Sequence, residues 1–262
     1  MEESVACGAT GYTFTAHTTN YQIMKKLSET GTISSKLNLY PLLPNVQESA
    51  RIANRKGTPE LAKEILSRLP ALRKKTLIKA GISAMKMDPA TLLGAYVEGE
   101  LSEYINVKPD NAVVRAALLH EAVTDVGLSF RTRDFFQAFM NCVCDINEHV
   151  SPGFVTRNFA RFVNFFHEES LSLRDVFVMT PFNRIGFQMN PSRQACETSL
   201  QSLGKEGEVI AMSILAGGYL SLDEAIQYLN ALKNLRGLTV GVSSQPHAQE
   251  TFTKLRSLLT IN

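Results

Sequence analysis

The chain has 262 residues, 44% of them hydrophobic and 20% charged, with a formal net charge of +2. That apolar share is ordinary for a protein with a sizeable core, and the length suits one (β/α)8 barrel or two smaller domains. A balance so close to neutral excludes a polycation built to coat nucleic acid. The basic clusters at Arg51, Arg55, Lys56 and at Arg68, Arg73, Lys74, Lys75 carry no interleaved aromatics and read as solvated helix faces.

No stretch approaches the roughly 18 consecutive apolar residues of a membrane helix, and Met1-Glu2-Glu3 is acidic where a signal peptide is basic. Cys7, Cys142, Cys144 and Cys196 form no CxxC pair or cluster-binding spacing. The expectation is a cytoplasmic protein with reduced thiols, no membrane partner, no nucleic-acid partner and no metal.

Along the chain, short β-branched runs alternate with longer amphipathic stretches. Strands are predicted at Ser4–Gly11, Lys36–Leu42, Thr76–Ser83, Ala112–Leu119, Gly153–Asn158, Asp175–Thr180, Glu208–Ser213 and Leu238–Ser243. A helix-compatible segment follows each, the clearest being Thr58–Leu69, Pro89–Tyr104, Arg133–Asn147, Ser192–Leu203, Leu222–Leu232 and Pro246–Leu259. Caps mark the boundaries. Thr58-Pro59-Glu60, Asp88-Pro89, Ser221-Leu222-Asp223-Glu224 and Ser244 before Gln245-Pro246 start helices, while Gly31, Gly57 and Gly204 end them. The succession predicts a single-domain α/β fold over residues 1–262, a parallel eight-stranded (β/α)8 TIM barrel. The open doubly wound alternative usually carries a GxGxxG turn after its first strand, and Gly8-Ala9-Thr10-Gly11 lacks that spacing.

In such a barrel, chemistry collects where strands run into the following loops. The polar set there is His17, Asn45, Lys79, His120, Glu121, Arg157, Asn158, Asn183, Ser213, Ser243 and Ser244. Lys79 sits within the apolar run Leu77-Ile78-Lys79-Ala80-Gly81-Ile82, where burial depresses an amine toward a base or nucleophile; pairing or snorkelling is the bland alternative. His120 reads either as a proton shuttle or carbonyl donor, or as a structural histidine. Asn45, Glu121 and Asn183 are candidate substrate contacts, and Asn158 is either a ligand contact or a cap. No HxH or HExxH spacing supports a metal at His17, His120 and Glu121. Ser213, Gly217 and Gly218, then Gly241, Ser243 and Ser244 before a helix start, form the candidate phosphate site, with tight packing as the alternative for the glycines. The loop Gly186–Pro191 reads as a connector or a lid. The phenylalanines 135, 136, 139, 159, 162, 165 and 166 stand at helical spacing and read as core.

From about Leu37 to Leu259 the order of these features resembles the aldo/keto reductase superfamily. Thr76–Gly81 is similar to its third strand, with Lys79 at the catalytic lysine, and Leu118-Leu119-His120 to the fourth strand end, with His120 at the catalytic histidine. Phe154–Phe159 resembles the segment whose asparagine, here Asn158, touches the nicotinamide amide. Val209–Gly218 resembles the strand beneath the pyrophosphate, and Gly241–Glu250 the strand and helix at the adenosine end. The resemblance implies an oxidoreductase using NAD or NADP. The chain departs from it in Leu39–Val46, which lacks the family's aspartate and has Tyr40 too early for its proton-donating tyrosine; no basic residue near Ser243 grips a 2′-phosphate. The leading expectation is therefore a barrel binding a nucleotide or phosphorylated small molecule with altered chemistry. Two others stand beside it. One is an aldolase-type lyase with a Schiff base on Lys79, although such barrels usually place that lysine on strand 6, where Thr180 and Asn183 stand. The other is a non-catalytic barrel.

Overall fold

The structure is a computed structural model describing residues 2–31, 36–45 and 89–259, with backbone alone for 89–92 and 95. Its strands are β1 (Gly11–Thr15), β2 (Leu37–Leu43), β3 (Ala112–Val114), β4 (Ala116–Leu119), β5 (Ser151–Val155), β6 (Phe177–Pro181), β7 (Glu208–Met212) and β8 (Leu235–Leu238). All pairings are parallel, in the order β1-β2-β4-β5-β6-β7-β8, with β3 also on β2. The sheet curls into a half-barrel, an α/β architecture compatible with a TIM-like fold. Its helices are α1 (Glu2–Ala6), α2 (Thr18–Thr30), α3 (Pro89–Val107), α4 (Glu121–Ser129), α5 (Arg133–Ile146), α6 (Phe159–Glu168), α7 (Arg193–Leu203), α8 (Leu222–Asn230) and α9 (Gln245–Leu258). Among the described residues no helix is long and apolar enough to cross a membrane.

Period-two alternation assigns the two faces of the sheet. Leu37, Leu39, Leu43, Phe154, Val178 and Val209 pack with helix residues such as Leu101, Phe136 and Phe162. Ala116, Leu118, Val155, Phe177, Met179 and Ile210 form a separate cluster on the concave side, joined by Tyr40, Leu42 and Met212. β3 and β4 are halves of one strand. Ala112 and Val114 face the helices, as do Ala117 and Leu119, so the alternation slips by one at Arg115. Its N–H still donates to Leu39 O at 2.9 Å. An extra residue of this kind acts as a bulge, and here it swings the Arg115 guanidinium to the concave side, 5.8 Å from the Phe177 ring centre.

An aromatic cluster joins α5, β5 and α6. The Phe136 ring lies within 5.3–6.3 Å of those of Phe154, Phe162, Phe165 and Phe166. Of the seven phenylalanines predicted as core, Phe136, Phe139, Phe159, Phe162, Phe165 and Phe166 are buried, while Phe135 is partly buried against the core. Close approach of the strands also explains Gly153: a Cβ there would lie 2.5 Å from Leu118 Cδ2.

Local chemistry places most helix ends where the residues predict them. Ser221 and Glu224 form a reciprocal capping box, Ser244 caps α9, and Gly31 closes α2 with φ +60°, returning its N–H to Leu27 O. Two strands differ from expectation. The strand predicted at Ser4–Gly11 begins instead inside a helix, Glu2–Ala6, because Glu2 and Glu3 suit a helix N-terminus and Gly8 at φ +107° then turns the chain. The strand is instead Gly11–Thr15, where Tyr12 and Phe14 alternate with threonines. The last strand is Leu235–Leu238 rather than Leu238–Ser243: Leu235 supplies the buried anchor, 1% exposed, and an irregular register opposite Val209 and Ile210 lets the chain leave early. The strand predicted at Thr76–Ser83 lies outside the described residues. β2 pairs directly with β4, Leu42 opposite Leu118 and Leu43 opposite Leu119, with no strand between them.

Candidate functional site

The C-terminal ends of β2, β4, β5, β6 and β7 stand side by side, and the sequence places a polar residue just beyond each. His120 continues the concave-facing series Ala116, Leu118. Its own N–H donates to Leu43 O at 2.6 Å, fastening it to the end of β2. It is the N-cap of α4, and its Nδ1 accepts the Ala122 N–H at 3.1 Å. That bond occupies the Nδ1 lone pair, so the neutral ring carries its proton on Nε2. Burial pushes the His120 pKa below the ordinary histidine value, with Arg157 acting in the same sense and Glu121 opposing. The Nδ1 bond thus sets the tautomer of the neutral ring, and burial favours that neutral form.

Beside it, Glu121 and Arg157 form a two-pronged ion pair, Nη2 to Oε1 at 2.5 Å and Nε to Oε2 at 3.2 Å. One turn further along α4, Asp125 accepts from Thr156 Oγ1 at 2.5 Å and from the Arg157 N–H at 3.4 Å. Thr156 Oγ1 in turn accepts the Asn158 N–H at 2.9 Å. Asp125 and Thr156 did not emerge from the sequence reading. Their signal was the i, i+4 spacing of Glu121 and Asp125, which points both carboxylates from one helix face at the end of β5.

The other candidates have different surroundings. Asn45 follows a cis Leu43–Pro44 bond, is 5% exposed, and donates its N–H to Tyr96 Oη, which donates to the Glu100 carboxylate. Asn183 is fully buried and ties a loop together: Nδ2 donates to Phe187 O and Ser213 O, and Oδ1 accepts the Phe187 N–H at 2.7 Å. Asn158 occupies the N-cap position of α6 without a side-chain capping bond. His17 is exposed and caps α2 through Nδ1, as His120 caps α4. Lys79 lies outside the described residues, and with it the basis of the Schiff-base reading. Among the described residues there is no group of three His, Cys, Asp or Glu arranged to hold a metal.

The two candidate phosphate turns are unlike each other. At the end of β7, Ser213, Ala216, Gly217 and Gly218 take φ of 52°, 48°, 72° and 93°. A Cβ on Gly217 or Gly218 would meet nothing within 4 Å, so the turn borders open space, while the Ala216 and Gly218 N–H groups donate to Ser213 O and Leu215 O at 2.9 Å; turns of this left-handed kind make anion-binding concavities. At α9 two donors are taken within the turn itself. The His247 N–H goes to Ser244 Oγ, the Ser243 N–H goes to His247 Nδ1, and Pro246 has none. Gly241 lies in the loop between β8 and α9 with open space beside it.

No protein-family model matches the chain, and no curated protein matches it.

Proposed function

We propose that the chain binds a small phosphorylated carbonyl compound at the C-terminal ends of the strands of a TIM-like barrel, with His120 donating from Nε2 to the ligand carbonyl. The observation that carries this reading is the capture of His120 Nδ1 by the Ala122 N–H. A ring held as a neutral donor polarises a carbonyl without needing to titrate. The Glu121–Arg157 pair lies beside this position, and the left-handed glycine turn from Ser213 to Gly218, which borders open space, is the support for a phosphate. The likeness to aldo/keto reductases rests here on His120 and Asn158. The reaction class in keeping with such a donor is addition to, or reduction of, the carbonyl group.

The test is a melting-temperature screen with phosphorylated aldehydes and ketones, and with NAD(H) and NADP(H), on wild type and His120→Gln. A ligand at about 100 times its Kd adds about 2.7 kcal/mol of stability. The expected result is stabilisation by a phosphorylated carbonyl compound that weakens in the variant. If no such compound stabilises the wild type, the reading is wrong.

A further inference from the structure

At the opposite end of the sheet, the concave face holds a cavity of about 510 Å³ that the site above does not use. A volume of this size suits a small organic ligand, since such pockets span about 300–1,000 Å³. One wall is apolar, formed by Leu238 with Phe252 and Leu255 of α9. The charged lining is Arg115, Arg236, Arg256 and Glu208. Glu208 is matched to Arg236 at 3.7 Å. Arg115, brought inward by the slip between β3 and β4, lies over Phe177 and has no ion-pair partner among the described residues. Arg256 extends along Gly8, its Cδ 3.1 Å from where a Cβ would stand, also without a carboxylate partner there.

Two guanidiniums without counter-ions beside an apolar wall match an acid group joined to an apolar body. A guanidinium fork binds a carboxylate through paired, charge-assisted bonds. Both arginines are exposed, so an anion entering the cavity can reach them from solvent. We infer a second ligand site here, for a small amphipathic organic anion, with Arg115 and Arg256 binding the acid and Leu238, Phe252 and Leu255 its apolar part. The site is independent of His120.

The test uses 4-phenylbutyrate as probe and its uncharged alcohol as control, with binding read from backbone amide NMR shifts. The expected shifts fall on residues 8–13, 236–239 and α9, and the alcohol binds at least about tenfold more weakly. Arg115→Gln and Arg256→Gln each raise Kd by about tenfold or more, the scale of one lost charge-assisted bond. Arg256 lies on a terminal helix, so its variant remains informative if Arg115→Gln fails to fold. Absence of shifts at millimolar probe, shifts confined to the ends of β4 and β5, or an unchanged Kd in the folded variants overturns the proposal.

Discussion

Glu121 and Arg157 meet fork to fork, at 2.5 and 3.2 Å, and so fasten the first turn of α4 to the chain leaving β5. The same two segments are joined again by Asp125, Thr156 and the Arg157 N–H. His120 precedes Glu121 directly, so its ring is aimed by an element clamped at two points. The arrangement is a local scaffold with a donor at its tip.

Because the side chains of Arg157 and Glu121 remain 41% and 25% exposed, solvent screens much of their attraction. Arg157→Lys keeps the charge but loses the planar fork. The expected loss of stability is about 1 kcal/mol or less, measured by urea denaturation. The amide resonances of Ala122 and Thr156 should move as well. A variant with unchanged stability and unchanged shifts would show that the pair does not hold these segments.

For His120 the folded state lowers the pKa. The unfolded chain therefore binds a proton more readily, with an ordinary value of about 6.5. This group's contribution to stability is complete above that value and is lost as pH falls toward the folded pKa. An NMR titration of the ring protons should give a midpoint below about 6.5. His120→Asn retains an N-cap acceptor, so it should abolish the titration while leaving α4 formed; His120→Ala should cost about 1 kcal/mol through the lost cap. A midpoint at or above the ordinary value would contradict the partly buried imidazole whose charged form the fold disfavours.

Asn183 uses its whole amide in two directions, to the Phe187 backbone and to Ser213 O. Asn183→Ala leaves partly buried backbone groups without these partners, at no more than about 1–3 kcal/mol for each group left unsatisfied. Loss of stability should come with faster hydrogen exchange at Phe187. It should also disturb the Ser213–Gly218 turn, through the lost bond to Ser213 O. Exchange at Phe187 unchanged from wild type would remove Asn183 from this role.

Much of the architecture could be read from residues close together along the chain. The alternation of apolar runs with capped amphipathic stretches marks β2, β5, β6 and β7 and the helices α3, α5, α7, α8 and α9, because burial and capping act over one turn or one pleat. The same locality misplaced β1, where helix-favouring acids and a left-handed glycine precede the strand, and β8, whose end depends on its register against β7. His120, Glu121, Asn45 and Asn183 were visible as polar residues following strands, but their partners were not. Asp125 reaches Thr156 across 31 positions, and Arg157 reaches Glu121 across 36. Arg115 turns inward through a one-residue slip that no local pattern announces. Propensity, pattern and cap chemistry act between near neighbours, and so are written in linear order. Strand adjacency, and the choice of which charges face one another, arise only when distant segments close on one another, and that depends on the energy of the whole packed sheet.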